Sequence, residues 1–149
     1  MVNWRLSLDL FSEDFVIAAR AGHPYLRQPG LEHYGDQQHL VVSHAGDPHG
    51  FVDGLLERQG LSRRVALTVP NFMFALAVLA ESDLISALPR RFVDMHGARY
   101  GVASVATPFA IPAYAVSLIV PHVATMDAGI SWLVNTLSAA LVPYGAKAE

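Results

Sequence analysis

His44, Asp47 and His49 fall within six residues of one another, and Ser43 precedes them directly. Imidazole and carboxylate groups gathered on a short loop are the first place to look for a metal site. Their spacing matches no established ligand pattern, and Gly46 and Pro48 make the stretch an ordinary polar turn just as readily. Ser43 beside His44 pairs a hydroxyl with a base, but adjacent residues rarely face each other. The G-x-S-x-G turn that exposes a hydrolase nucleophile is absent, which leaves an α/β-hydrolase-like enzyme a weak reading. No Gly-rich run ends in Gly-Lys-Ser or Gly-Lys-Thr, so a phosphate-cradling loop is excluded. The chain has no cysteine, which rules out thiolate catalysis, disulfides and Cys-based zinc sites. The expectation is a protein without catalytic residues, metal or cofactor.

A binding geometry remains. In open parallel α/β sheets, ligands sit beyond the carboxyl ends of strands, where helix N-termini present free N–H groups. Three such junctions are legible: Ser43-His44 to Gly50, Val69-Pro70-Asn71-Phe72, and Leu88-Pro89-Arg90. Ser43, His44, Asn71 and Phe72 are the expected effector-binding residues. A carboxylate could be held by Ser43, by backbone N–H groups near Asn71, or by a His such as His44, and Phe72 supplies a ring to stack an aromatic ligand. Capping of their own helices is the competing account of Ser43 and Asn71.

The elements that must position these residues follow from periodicity. Trp4 to Leu10 alternates apolar and polar, the period of a half-buried strand, and Phe15 to Ala19 is a second strand. A Pro/Gly-rich stretch from His23 to Gly30 leads to a short polar helix, Leu31 to Gln37. His39 to Ser43 is a strand, and Phe51 to Gln59 is a helix with Gly60 at its C-terminal end. Arg64 to Val69 is a strand. Asn71 then caps a helix, Phe72 to Ala80, that is apolar nearly all round. Leu84 to Leu88 is a strand, Pro89 opens a helix, and Val102 to Val105 is another strand. This alternation predicts βαβ units and a parallel sheet. Tyr114 to Val120 and a helix from Asp127 to Leu141, with an apolar face at Ile130, Leu133, Val134, Leu137 and Leu141, complete the chain.

Composition bounds the rest. At 149 residues, 52% hydrophobic and 15% charged, the chain is one ordinary domain and not disordered. Ten Lys and Arg against 13 Asp and Glu, net charge -3, argue against direct DNA contact by these residues. No basic region followed by an apolar run opens the sequence, so no secretory signal is visible. Tyr100 to Met126 carries no fixed charge, but Pro108, Pro112 and Pro121 interrupt it. Two buried strands joined by a Pro-containing link fit better than a membrane span. A cytoplasmic protein without membrane contact is expected.

Particular segments carry a family resemblance. Glu13-Asp14-Phe15-Val16-Ile17-Ala18-Ala19-Arg20-Ala21-Gly22-His23-Pro24 resembles the segment leading out of the first lobe in the effector-binding domain of LysR-type transcriptional regulators. Val41-Val42-Ser43, Arg64 to Pro70, Ser82 to Arg91 and the Ile130-Ser131-Trp132-Leu133 helix follow in that family's order, and the likeness runs from Leu8 to Leu141. The branch containing regulators that sense nodulation signals and small aromatic acids is the nearest. The resemblance implies a type 2 periplasmic-binding-protein-like α/β fold. One small parallel-sheet lobe is complete and part of a second accompanies it, a truncation at the N-terminus. The implied division is a partial first lobe at 1–22, a crossover at 23–39, a second lobe at 40–107, and a return crossover, strand and helix at 108–149. The implied function is to bind a small aromatic or carboxylate effector and regulate transcription in the full-length protein. A stand-alone solute-binding or interaction module is the alternative. Uncovered flanking strands further predict a homodimer or higher oligomer.

Overall fold

The computed structural model describes residues 4–145. Residues 1–3 and 146–149, which end two of the expected segments, lie outside the described residues. The chain divides into two compact units, Asp14–Pro112 and the pair Met1–Glu13 with Ala113–Glu149.

In the larger unit the elements run β2 (Phe15–Arg20), α1 (Pro24–Arg27), α2 (Leu31–Asp36), β3 (Gln38–Val42), α3 (Phe51–Glu57), β4 (Arg64–Val69), α4 (Phe72–Ala80), β5 (Ser86–Pro89), α5 (Arg90–His96), a 3-10 turn at Gly97–Tyr100, and β6 (Val102–Ala106). β3 and β4 pair in parallel. A parallel bridge from His39 to Ile85 joins β3 to the residue just before β5. Its bonds are Leu40 N–H to the Ile85 carbonyl at 2.9 Å and Ile85 N–H to the Gln38 carbonyl at 3.1 Å. β2 pairs antiparallel with both β5 and β6. The spatial order is therefore β4-β3-β5-β2-β6, with β2 alone reversed.

One expectation needs correcting. The sheet is mixed rather than all-parallel. β3 through β6 run parallel, but β2 runs antiparallel to β5 and β6, a direction that strand periodicity does not report. β2 belongs to the larger unit, which runs from Asp14 to Pro112. The reason is burial. Val16, Ile17, Ala18 and Ala19 are all almost inaccessible, an unalternating run that demands a central strand covered on both faces. One face packs on Leu76, Leu79 and Leu88, the other on Tyr25, Tyr34 and Leu56.

Local signals explain the helix limits. Gly60, at φ +70°, adopts the left-handed conformation that closes the turn after α3, and its N–H reaches the Glu57 carbonyl at 3.0 Å. Asn71 Oδ1 accepts the Phe74 N–H at 2.8 Å and starts α4.

The smaller unit holds β1 (Arg5–Glu13), β7 (Tyr114–Pro121), a 3-10 turn at His122–Met126, and α6 (Ala128–Gly145). β1 and β7 pair antiparallel, with an irregularity between Asp9 and Phe11. Asp127 Oδ1 accepts the Gly129 and Ile130 N–H groups at 2.8 and 3.0 Å and so caps α6. Two more expectations shift here. β7 is not a buried strand, since Val120 is its one buried residue. On α6, Val134 is buried while Leu133 is exposed, so the apolar face is narrower than its spacing implies.

Candidate functional site

Four strands of the larger unit end on one edge of the sheet, and β2 begins there. All three junctions read from the sequence lie at this edge. Ser43 extends β3 by one bond, its N–H donating to the Val69 carbonyl at 2.9 Å. Its hydroxyl oxygen accepts the Asp47 N–H at 3.1 Å, which leaves the O–H free to donate. His44 is exposed, and among the described residues it makes no hydrogen bond. Asn71 uses its carbonyl oxygen for capping, so its amide N–H donors face solvent. Asn71 caps α4, whereas Ser43 closes a turn and caps no helix, since the N-cap of α3 is Gly50. Both spend an acceptor and spare their donors, which are the groups a carboxylate needs.

Phe72 is 39% exposed. Its ring lies 5.5 Å from that of Phe92 in α5, and Phe92 lies 5.1 Å from His96. The starts of α4 and α5 are therefore neighbours. Phe15, at the amino end of β2, stacks at 4.8 Å on Phe51, which opens α3 and is 54% exposed. Met73 and Phe74 are exposed as well. The edge carries aromatic rings at two places, together with the free donors of Ser43 and Asn71.

Sequence reasoning missed the ion pair at this edge. Arg90 follows β5, and its Nε–H contacts Asp14 Oδ1 and Oδ2 at 2.9 and 2.8 Å. The Arg90 N–H also donates to the Asp14 carbonyl at 2.9 Å. The Leu88-Pro89-Arg90 junction was legible, but 76 residues separate the partners, beyond any local pattern.

The His44, Asp47 and His49 cluster does not assemble a ligand set. Asp47 Oδ1 accepts the His49 N–H at 2.8 Å, the bond of a polar turn. Among the described residues no three His, Asp or Glu side chains converge as a metal site would require.

Residues 6–142 match the LysR substrate binding domain family. This chain belongs to that family. As a LysR substrate-binding domain it is 34% identical over 125 residues to the HTH-type transcriptional activator NagR of a Ralstonia species, a match covering 83% of this chain and 42% of NagR. The chain therefore spans less than half the length of that curated relative. It superposes on the regulatory domain of MexT, a transcriptional activator in Pseudomonas aeruginosa, with a TM-score of 0.79 and 28% identity over 92% of this chain and 68% of MexT's. The effector-binding domain of QuiR in complex with shikimate shares the fold at a TM-score of 0.69 and 14% identity, over 99% of this chain and 69% of that one. NagR and MexT are transcriptional activators, and the fold is the periplasmic-binding-protein-like one. Among the described residues no helix of this LysR domain is long and apolar enough to cross a membrane.

Proposed function

We propose that this LysR domain senses a small carboxylate, an aromatic acid by preference, at the strand-end edge of its larger unit. The observation that carries this reading is the arrangement there: spare donors on Ser43 and Asn71, exposed His44, and the half-open Phe72 ring on one edge. Bound shikimate in the QuiR domain, itself a carboxylate, supports the ligand class. In the whole regulator the effector shifts a population of arrangements and so alters how attached DNA-binding domains meet their operator. These residues do no chemistry and contact no DNA. A cytoplasmic location belongs to the same reading.

Calorimetric titration with benzoate and salicylate tests it. Ser43→Ala and Asn71→Ala are each expected to weaken binding. Asn71→Ala also costs about 1 kcal/mol of stability through loss of the α4 cap. Unchanged affinity in both variants rejects the site.

The same reading includes self-association through the smaller unit. Among the described residues β1 and β7 pair only with each other. Trp4 is 65% exposed, Ile119 53% and Trp132 66%, more large apolar surface than a monomer of this size usually leaves in water. A second copy pairing along β1 and packing on α6 covers these residues and fills an open strand edge. Light scattering over a dilution series should return a dimer or larger species. A monomer persisting at micromolar concentration rejects the interface.

A further inference from the structure

The Asp14 and Arg90 contact is one-sided. Both Asp14 oxygens face the Nε–H of Arg90, and the backbone bond between the two residues fixes the arginine's origin. Among the described residues, Nη1 and Nη2 have no hydrogen-bond partner, and 43% of the side chain is exposed. A guanidinium presents two forked edges that match a carboxylate. Here the edge containing Nε is occupied and the edge between Nη1 and Nη2 is open. Arg63, a comparison within the same unit, spends its Nε and Nη2 on the two oxygens of Asp53 and is almost wholly buried.

Position adds to this. Arg90 begins α5 directly after the carboxyl end of β5, and Phe92, in the same helical turn, touches Phe72. A planar cation with an open fork and an exposed ring thus stand at adjacent helix starts on one edge of the sheet. That pairing suits a ligand with a carboxylate at one end and a flat apolar body at the other.

We propose that Arg90 is the anion anchor of the strand-end edge. Its Nη1 and Nη2 fork takes the carboxylate of an aromatic acid whose ring lies against Phe72, while Asp14 holds the guanidinium from its Nε side. This assignment rests on the strand-end reading above and makes Arg90 the residue that selects an acid over its neutral isostere.

The test titrates this chain with benzoate and with benzamide, which share a ring and differ in charge, while amide spectra report on Ser43, Asn71 and Phe72. Benzoate is expected to bind more tightly than benzamide. Arg90→Gln is expected to lower benzoate affinity roughly ten- to a hundredfold, the value of a charged paired hydrogen bond, and to leave benzamide unchanged. Arg90→Lys keeps the charge without the fork and should fall between. Spectra unchanged away from α5 establish that both variants are folded. If both probes still perturb Phe72 and the benzoate preference survives Arg90→Gln, the anchor is wrong and the strand-end reading stands. If neither probe perturbs Ser43, Asn71 or Phe72 in the unsubstituted chain, the reading itself fails and takes the anchor with it.

Discussion

Arg63→Ala should destabilise the larger unit by about 3–5 kcal/mol, the range for breaking a buried ion pair from one side. The Arg63 side chain is 3% exposed and that of Asp53 15%. Arg63 donates through Nε and Nη2 to the two Asp53 oxygens at 2.8 and 2.7 Å. Asp53 Oδ2 also accepts the Gly50 N–H at 2.6 Å, which ties the start of α3 to the residue leading into β4. Truncating the arginine leaves a carboxylate in an apolar site with one backbone donor, so the loss far exceeds that of an exposed pair. Removing both partners leaves no stranded charge. The Asp53→Ala and Arg63→Ala double variant should therefore lose clearly less than the sum of the singles. Urea unfolding at neutral pH measures all three. A single-variant loss within about 1 kcal/mol, as for a surface pair, would refute the account.

The pair also has a pH signature. Burial alone would raise the Asp53 pKa, but Arg63 and the Gly50 N–H outweigh it and hold the carboxyl below its usual value. A depressed folded pKa contributes stability above the unfolded value that is lost as pH falls through the folded one. The loss attached to Asp53 thus comes at strongly acid pH.

How much of this was legible in the sequence depended on the range of the interaction. Capping is local, so Asn71 marked the start of α4 correctly from residue type alone. The strand at Phe15 to Ala19 was legible, but as one of the uncovered flanking strands. Val16 to Ala19 are instead buried on both faces, between β5 and β6, and which neighbours cover a strand is a long-range fact. The sense of β2 was hidden for the same reason: periodicity reports the faces of a strand and not its direction. At the strand-end edge, Ser43, His44, Asn71 and Phe72 could be named because each follows a strand within a few residues. Phe92, Phe15 and the Asp14 and Arg90 pair could not, because they arrive at the edge from different elements.

Between about pH 6.5 and pH 4 the protein should lose roughly 3 kcal/mol of stability through His39 alone, taking 1.36 kcal/mol per unit of pKa difference. His39 is fully inaccessible in the middle of the sheet, where β3 meets Ile85. Its Nε2–H donates to the Tyr34 carbonyl at 2.9 Å, and its ring meets the Tyr34 ring at 4.5 Å. That bond fixes the neutral tautomer with a bare Nδ1, and Nδ1 has no hydrogen-bond partner. Burial pushes the imidazole down from 6.5 to about 4. The Tyr34 carbonyl and Asp53 favour the charged form, and Arg63 opposes it. Because the unfolded chain takes up the proton first, each step of acidification across this window favours unfolding. Below pH 4 both states are protonated and the slope from this residue ends. His39→Gln keeps a donor for the Tyr34 carbonyl and cannot titrate. That variant is expected to be less stable at pH 7 and flatter in its pH dependence, with the difference from the parent shrinking from pH 7 toward pH 4. Denaturant midpoints at a series of pH values give this difference directly, since carboxylates elsewhere contribute alike to both proteins. A constant gap between the two across the window would mean that His39 either stays neutral on unfolding or is already charged in the fold. The second is incompatible with an inaccessible ring beside Arg63.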